Sequence, residues 1–224
     1  MKTAQLERWQ SDFGRAYTDR NSLTPEALDA LYRKNYGIGR SELNQRFLAD
    51  IPRNARILEV GCNEGNQLCA LREMGFQNLY GIEIQDYALR KARARVDNAQ
   101  LALATAFEIP YPDGFFDLVF TSGVLIHIAP VDLPRALREI DRCAGGFIWG
   151  LEYFSPQEME VPYRGHEKLL WKMDYAGLYL DLFDDLEPVR VERLPYLEDA
   201  NVDSMFLLAR KRDTFPSGRN VKEA

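Results

Sequence analysis

The sequence predicts an α/β fold: a mostly parallel sheet of seven strands with helices on both faces, an antiparallel strand near the C-terminus and an N-terminal helical lid. Three observations predict it. Between residues 56 and 151, short β-rich runs alternate with helical segments, as in a parallel sheet covered by helices. A glycine turn follows the first of these runs. Two later runs are joined by only a short loop, which indicates an antiparallel hairpin.

Each element has its own local signal, taken in chain order. Residues 1–50 look helical, with Ser41 and Glu42 suited to a helix start, and Pro52 ends that segment because it disfavours helical geometry in the residue before it. Gly75 is predicted to stop one later helix and Asp86 to cap the next. The predicted strands are 56–60, 79–84, 101–104, 116–121, 146–151, 188–196 and 204–211, and the later helices are 65–74, 86–96 and 131–143.

This order of elements predicts a simple domain organisation. A helical cap covers residues 1–50, and a main domain covers residues 51–212 with an insertion at about 153–180. A polar, flexible tail is expected at residues 213–224. A chain of 224 residues with 46% hydrophobic residues has enough apolar side chains for one full core.

Charge and composition narrow the function classes. A net charge of −6 disfavours nucleic-acid binding, which needs a cationic surface. Three cysteines and two histidines match neither a disulfide framework nor a metal site, so no metal is expected. The N-terminus is polar, and no apolar run approaches the ~20 residues that span a bilayer. We therefore expect a cytoplasmic protein without membrane insertion that acts on a small molecule; the oligomeric state stays open.

The most informative segment lies where the first predicted strand meets a helix, in the run LEVGCNEGN (residues 58–66). Gly61 and Gly65 allow a sharp turn and a close approach of the backbone to a ligand, at the edge where open α/β sheets bind ligands. Glu59 precedes the turn and is placed to meet a cationic amino group. Glu83 ends the second strand, where an acid accepts hydrogen bonds from ribose hydroxyls.

Both NAD and S-adenosylmethionine carry that ribose, so Glu83 does not distinguish between them. A dinucleotide fingerprint has glycine at the positions of Asn63 and Asn66, so that the backbone can approach a pyrophosphate. The two asparagines therefore favour S-adenosylmethionine, which has no phosphate. The remaining alternative is a glycine turn that only closes a strand–helix unit.

Three segments carry a resemblance to a known family. ILEVGCNEG, YGIEIQDYAL and PYPDGFFDLVFTSGVLIHI resemble successive motifs of class I S-adenosylmethionine-dependent methyltransferases, over about residues 40–210. The resemblance implies a Rossmann-like fold and S-adenosyl-L-methionine as cofactor. It places Glu59, Gly61 and Asn63 under the methionine part and Glu83 at the ribose. The sequence departs from the common family pattern at Asn63, where glycine is usual, and at Thr105, where aspartate is frequent.

The resemblance also implies contacts farther along the cofactor. Ile84 would pack on the adenine face, while Ala106 and Phe107 would flank the adenine edge. The side that presents the methyl group would be lined by Thr121, Gly123 and Leu125.

A narrower resemblance concerns the segments WQSDFGRAYTDRN, YGIGRSELNQRFL, GVLIHIAP and GLEYFSP, the last followed by YRGHEKLLWKMDYA. Together they resemble the methylases encoded with pseudaminic-acid biosynthesis. That resemblance implies a nonulosonic acid or a related cell-surface sugar as the acceptor.

Three residues after the fourth and fifth strands are predicted to be catalytic. His127 titrates near neutrality and is a base candidate, with a packed histidine as the alternative. Glu152 and Tyr153 are placed to hydrogen-bond a sugar hydroxyl or to act as a base, with an apolar contact of Tyr153 under a loop as the alternative. A hydroxyl acceptor needs a base, whereas a neutral amine or a carboxylate does not.

The insertion and the N-terminal cap supply the remaining predicted site residues. Tyr163, Arg164 and His166 are predicted to bind substrate, with Arg164 clamping an acidic group or forming a surface ion pair. Tyr17 is predicted to cover the sulfonium, and Arg40 to pair with the cofactor carboxylate. The alternative for both is a cap that is simply docked on the sheet.

Two other functions compete with a methyltransferase. Glu83 alone is compatible with an NAD-type oxidoreductase. A non-catalytic module that binds S-adenosylmethionine fits the unusual Asn63 and Glu64.

Overall fold

The computed structural model describes residues 3–211. Four helices precede the sheet, and the described residues contain eight α-helices, one short 3₁₀ helix and nine strands. The helices are α1 (Ala4–Gln10), α2 (Asp12–Arg20), α3 (Pro25–Tyr36), α4 (Arg40–Leu48), α5 (Asn66–Glu73), α6 (Asp86–Arg95), α7 (Leu133–Cys143), α8 (Tyr175–Leu182) and the 3₁₀ turn Leu125–His127. The strands are β1 (Arg56–Val60), β2 (Asn78–Glu83), β3 (Gln100–Leu103), β4 (Phe116–Ser122), β5 (Ala144–Tyr153), β6 (Met159–Glu160), β7 (Trp171–Lys172), β8 (Leu186–Pro195) and β9 (Val202–Arg210).

Seven strands form one sheet in the order β3-β2-β1-β4-β5-β9-β8. Strands β1 to β5 pair in parallel, and β9 runs antiparallel to both β5 and β8. The strand order reverses between β1 and β4, the position at which open α/β sheets bind ligands. The predicted fold class, including the late antiparallel strand and the N-terminal helices, is confirmed.

Both faces of the central strands are covered. On β4, Val119 belongs to an apolar cluster that includes α7 and α8, whereas Leu118 and Phe120 belong to a cluster that includes α4, α5 and α6. All three side chains are buried. A parallel strand covered on both faces is a nearly continuous apolar run, which explains FDLVFT apart from the exposed Asp117 near its start and the buried Thr121 near its end.

Two predicted helix starts are shifted. Asp86 is the first residue of α6, and Gln85 occupies the capping position without a side-chain hydrogen bond. Ser41 lies inside α4 after the capping Gly39. Its N–H and hydroxyl instead donate to the two carboxylate oxygens of Asp29 at 2.7 and 2.5 Å, which ties α4 to α3. Gly75 ends α5 as predicted, with a φ of +91°.

The insertion at 153–180 contains structure that the sequence did not predict. Strands β6 and β7 form a separate two-stranded sheet, and α8 follows them. Within residues 3–211, no helix is long and apolar enough to cross a membrane, and no group of three or more potential ligand side chains is arranged to hold a metal ion. The predicted tail at 213–224 lies outside the described residues.

Candidate functional site

A cavity of about 350 Å³ opens at the carboxyl edge of the parallel strands. The turns after β1, β2, β3 and β4 and the end of β5 line it from the sheet side, and helices α1 to α3 line it from the other side. The structure brings together many of the predicted site residues in its lining: Tyr17, Glu59, Gly61, Asn63, Glu83, Ile84, Ala106, Phe107, Gly123, His127 and Tyr153. The other predicted residues lie outside that lining: Arg40, Thr121, Leu125, Glu152, Tyr163, Arg164 and His166.

The turn after β1 depends on left-handed backbone geometry at three positions. Gly61, Asn63 and Gly65 have φ angles of +73°, +48° and +82°. A Cβ at Gly61 would lie 2.7 Å from Val124 Cγ2, so this residue is confined to glycine by both conformation and space. Asparagine tolerates left-handed geometry better than most residues, which explains how Asn63 occupies a position where glycine is usual.

Glu83 is fixed by three backbone donors. Its Oε1 accepts from the N–H groups of Ile84 and Gln85 at 2.8 and 2.9 Å, and its Oε2 accepts from Asn63 N–H at 2.9 Å. Burial raises the pKa of this carboxyl group, and the three N–H groups oppose the shift. A carboxylate has about four acceptor positions, so acceptor capacity remains for a ligand hydroxyl in the cavity.

Four buried polar atoms in the cavity lining have no hydrogen-bond partner within residues 3–211. Three are acceptors, Glu59 Oε2, Gln67 Oε1 and Gln85 Oε1, and one is a donor, Trp9 Nε1. Buried polar groups are normally paired, so unpaired atoms that share one cavity indicate a ligand. The excess of acceptors fits a ligand rich in donors, as the amino group and ribose hydroxyls of S-adenosylmethionine are.

Arg40 lies behind this lining. It is almost fully buried and donates to Asn44 Oδ1 and the Tyr32 hydroxyl at 2.8 Å each, and to Ser122 Oγ at 3.3 Å. Tyr32 and Ser122 both line the cavity, so Arg40 fixes two lining residues. Burial raises the pKa of Glu59, and the positive charge of Arg40 opposes that shift.

The other side of the turn after β1 is apolar. Ile84, Ala104, Ala106 and Phe107 line it. At Thr105, where an aspartate is frequent in the family pattern, the hydroxyl accepts from Phe107 N–H at 3.2 Å. That hydrogen bond fixes the backbone beside Ala106.

His127 stands in the 3₁₀ turn after β4. Its Nδ1 lies 2.7 Å from the carbonyl oxygen of Leu169. Because a carbonyl only accepts, Nδ1 carries the proton and Nε2 is left as an acceptor. Burial lowers the pKa of His127 to about 4, so the ring is neutral at pH 7. The geometry therefore permits proton acceptance at Nε2.

Glu152 is completely buried beneath that turn. Its carboxylate accepts from the N–H groups of Val124 and Ile126 at 3.2 and 3.4 Å. Burial raises its pKa to about 7, opposed by hydrogen bonds from the turn. Glu152 thus positions the segment that carries His127, whereas its neighbour Tyr153 lines the cavity.

The insertion covers the N-terminal helices with an aromatic cluster. The ring of Tyr163 lies 5.2 Å from the ring of His127 and 6.2 Å from that of Phe13, and the ring of His166 lies 5.4 Å from Phe13. The Trp9 ring lies 4.5 Å from His127. The guanidinium carbon of Arg164 lies 5.6 Å from the centre of the Tyr163 ring.

Helices α1 and α2 are hydrogen-bonded to the turns that line the cavity. The Thr18 hydroxyl donates to Asn63 Oδ1 at 2.8 Å, and Gln85 Nε2 donates to the carbonyl oxygens of Trp9 and Ser11 at 2.7 and 3.1 Å. Burial raises the pKa of Tyr17 in α2 to about 12. The sequence analysis identified neither Trp9 nor Thr18 as site residues.

A polar cluster that the sequence patterns do not predict lies at the β5–β9 side of the cavity. Tyr36, Tyr196 and Asp203 line the cavity together, and Tyr153 lies opposite Asp203 in the β5–β9 register. They come from α3, the loop after β8 and the start of β9. No local pattern links residues so far apart in the chain.

Comparisons with known proteins identify the central segment. Residues 58–149 match the model of the methyltransferase domain family. Methyltransferase-like protein 27 of Homo sapiens is 36% identical over 76 residues, which is 33% of this chain and 31% of that protein. The 27-O-demethylrifamycin SV methyltransferase of Amycolatopsis mediterranei is 28% identical over 96 residues, which is 39% of this chain and 35% of the enzyme.

The curated relatives match this chain over only part of their own length. The matched segment spans about a third to a half of the first curated relatives. A solved structure, the 1,6-didemethyltoxoflavin-N1-methyltransferase of Burkholderia thailandensis, matches with a TM-score of 0.70 and 16% identity over 95% of this chain and 92% of that one. At that identity, the match supports the fold.

Proposed function

We propose that this chain, whose residues 58–149 match the methyltransferase domain family, transfers a methyl group from S-adenosylmethionine to a small molecule bound beside the turn after β4. One observation carries the proposal. The cavity contains Glu83, fixed by three backbone N–H groups, together with unpaired buried acceptors that include Glu59 Oε2. Those acceptors suit the ribose and the amino group of S-adenosylmethionine, which supplies an electrophilic methyl carbon when bound.

The residues of the chain have three tasks in this proposal. Glu83 and Glu59 bind the donor by its ribose and its amino group. Helices α1 and α2 cover the cavity and exclude water, with Thr18 and Gln85 fixing them to the cofactor turns. The site then holds the nucleophile in line with the methyl carbon, which accounts for much of the rate enhancement in such reactions.

His127 is the base in this proposal when the acceptor atom is a hydroxyl oxygen. The oxygen forms a bond to the methyl carbon while the carbon–sulfur bond breaks, and Nε2 of His127 takes the hydroxyl proton. The contact of Nδ1 with Leu169 keeps Nε2 unprotonated before the reaction. Glu152 supports the turn that presents the ring.

The acceptor class is also a proposal. The narrower sequence resemblance supports a cell-surface sugar. The cavity lining, within the described residues, includes neither lysine nor arginine. A sugar acid such as a nonulosonic acid would bring its carboxylate into the same cavity as the Asp203 carboxylate, which like charges disfavour. We therefore favour a neutral or basic sugar over a sugar acid, and a cytoplasmic location stays a prediction.

Isothermal titration calorimetry with S-adenosylhomocysteine tests the donor site on the full chain. Wild type and Glu73→Gln, which alters an exposed glutamate on α5, are expected to bind equally. Glu59→Gln is expected to bind about tenfold more weakly, since it loses a charge-assisted hydrogen bond. No binding heat for wild type at millimolar ligand, or binding of NADH instead, would contradict the proposal.

A further inference from the structure

The side of the cavity away from the cofactor turns contains a hydrogen-bonded carboxylate. The Tyr36 hydroxyl donates to Asp203 Oδ2 at 2.6 Å, and the Tyr196 hydroxyl lies 3.3 Å from the same oxygen and 3.0 Å from the Tyr36 hydroxyl. The rings of Tyr36 and Tyr196 meet edge to face at 4.8 Å. We call these three residues the Asp203 cluster.

The Asp203 cluster lines the cavity, and one carboxylate oxygen of Asp203, Oδ1, has no hydrogen-bond partner among the described residues. Asp203 is only 3% exposed, and both tyrosine contacts go to Oδ2. Within residues 3–211, no donor lies within hydrogen-bond distance of Oδ1. The charge of the nearby Lys172 lowers the pKa of Asp203, but its ammonium group forms no ion pair with that carboxylate: it donates to Asn201 and lies 5.7 Å from the centre of the Tyr153 ring. Asp203 therefore has a buried negative charge without an ion-pair partner among the described residues, an arrangement that costs stability unless a ligand compensates it.

The rest of the cavity adds to this negative character. Its lining, within the described part of the chain, includes four carboxylates and no lysine or arginine: Glu59, Glu83, Asp132 and Asp203. Two of them are assigned to the donor in the proposed function. Asp203 lies at the start of β9, beside Tyr153 of β5, on the side of β4 away from Glu83. It is thus placed to contact the acceptor rather than the donor.

Resting on the proposed function, we propose that the Asp203 cluster binds a protonated amine of the acceptor molecule. The carboxylate supplies the counter-charge through Oδ1, and the rings of Tyr36, Tyr153 and Tyr196 supply aromatic surface that attracts a cation. A protonated amine has no lone pair, so this nitrogen is a recognition group. The methyl group goes to a different atom of the same acceptor, near His127.

Burial and neighbouring charges support the assignment. Burial raises the pKa of Asp203 to about 6, so the carboxylate is ionised above neutrality. Burial also raises the pKa of Tyr153, and the Asp203 carboxylate raises it further. Tyr153 lies opposite Asp203 in the sheet and lines the same cavity as His127, so it stands between the recognition group and the reacting end.

Two matched sets of probes test the proposal on the full chain, with and without saturating S-adenosylhomocysteine. The first set is glucosamine, glucose and glucuronate; the second is tyramine, tyrosol and 3-(4-hydroxyphenyl)propanoate. Within each set the body is shared and the charge changes from positive to neutral to negative. Saturation-transfer NMR and calorimetry at pH 7.5 are expected to show binding of at least one amine, on the order of tenfold more tightly than its neutral and acidic counterparts.

The variants assign that preference to Asp203. Asp203→Asn is expected to lose the amine preference and to bind S-adenosylhomocysteine as wild type does. Asp12→Asn, the same change at a fully exposed carboxylate on α2, is expected to keep it. Tyr36→Phe is expected to weaken amine binding severalfold.

Several results would overturn the proposal. Two concern the wild type: equal or tighter binding of the acidic probes, and failure of both amines to bind at millimolar concentration. Two concern Asp203→Asn: an unchanged amine preference, and loss of S-adenosylhomocysteine binding. The last result would give Asp203 a structural role. If wild type bound an amine through Asp203 but never bound S-adenosylhomocysteine, the proposed function would fail and the amine site would stand.

Discussion

Replacing Glu83 by glutamine changes the cofactor site at its most constrained point. The wild-type carboxylate accepts three backbone hydrogen bonds, two through Oε1 and one through Oε2. Glutamine has one acceptor oxygen and one NH₂ group of nearly the same shape. In either orientation the NH₂ group faces a backbone N–H, so at least one buried N–H loses its partner.

The size of the effect follows from this geometry. An unsatisfied buried donor costs about 1–3 kcal/mol, so the free energy of unfolding is expected to fall by roughly that amount. The ribose hydroxyls lose a charged acceptor as well, and hydrogen bonds to charged groups contribute about 1.5–3 kcal/mol. The affinity for S-adenosylhomocysteine is therefore expected to fall by roughly 10- to 150-fold, at about 1.4 kcal/mol per factor of ten.

Calorimetry at pH 8 measures the affinity, and urea denaturation of the ligand-free proteins measures stability. Glu73→Gln is the matched control at an exposed site. The reasoning would be refuted if folded Glu83→Gln bound S-adenosylhomocysteine within threefold of wild type. A variant as stable as wild type would refute the argument from the three N–H groups alone.

Two further predictions concern the turns on either side of the cavity. The free energy of unfolding of Gly61→Ala, measured by urea denaturation, is expected to be lower than that of Gly165→Ala by about 1–3 kcal/mol. Both glycines have a left-handed φ, but only a Cβ at Gly61 overlaps another side chain, that of Val124. Equal losses of stability in the two variants would contradict this. The buried, neutral His127 takes up a proton only near pH 4, whereas the unfolded chain does so from pH 6.5 downward, so acid favours the unfolded state in that window. From pH 7 to pH 4, wild type is therefore expected to lose up to about 3 kcal/mol more of its free energy of unfolding than His127→Asn, a variant that keeps a donor near Leu169. A stability difference that did not change with pH would count against a neutral ring.

The sequence predicted those parts of the fold and site that depend on local signals. The alternation of strands and helices, the glycine turn and Glu83 at the end of β2 all lie in one continuous stretch, where periodicity and turn chemistry act over a few residues. The start of α4 differs from the one predicted at Ser41, because the N–H and hydroxyl of Ser41 donate to the distant Asp29 instead of capping the helix. The two-residue strands β6 and β7 are too short to show a period at all.

The site residues that were missed depend on tertiary contacts. Trp9 lies beside His127 only because α1 folds back over the carboxyl edge of the sheet. Tyr36 meets Asp203 only through the packing of α3 against the end of β9. Glu152, predicted as catalytic from its place after the predicted strand 146–151, lies within β5 and is placed below the turn after β4 by the pairing of β4 with β5. Such contacts leave no pattern within a short window of sequence.

Because β9 runs antiparallel to β5, the residues proposed to bind the donor and those proposed to bind the acceptor come from different parts of the chain. In a strand of opposite direction, the residues at the binding edge come from its beginning, so Asp203 is the second residue of β9, whereas Gly61 follows β1 and Glu83 ends β2. The residues proposed to hold the donor all fall between 59 and 107, while those proposed to select the acceptor come from the two flanks. Mutations in the flanks can therefore accumulate new acceptor preferences while the donor chemistry is inherited unchanged, and the methyltransferase domain model itself matches only residues 58–149.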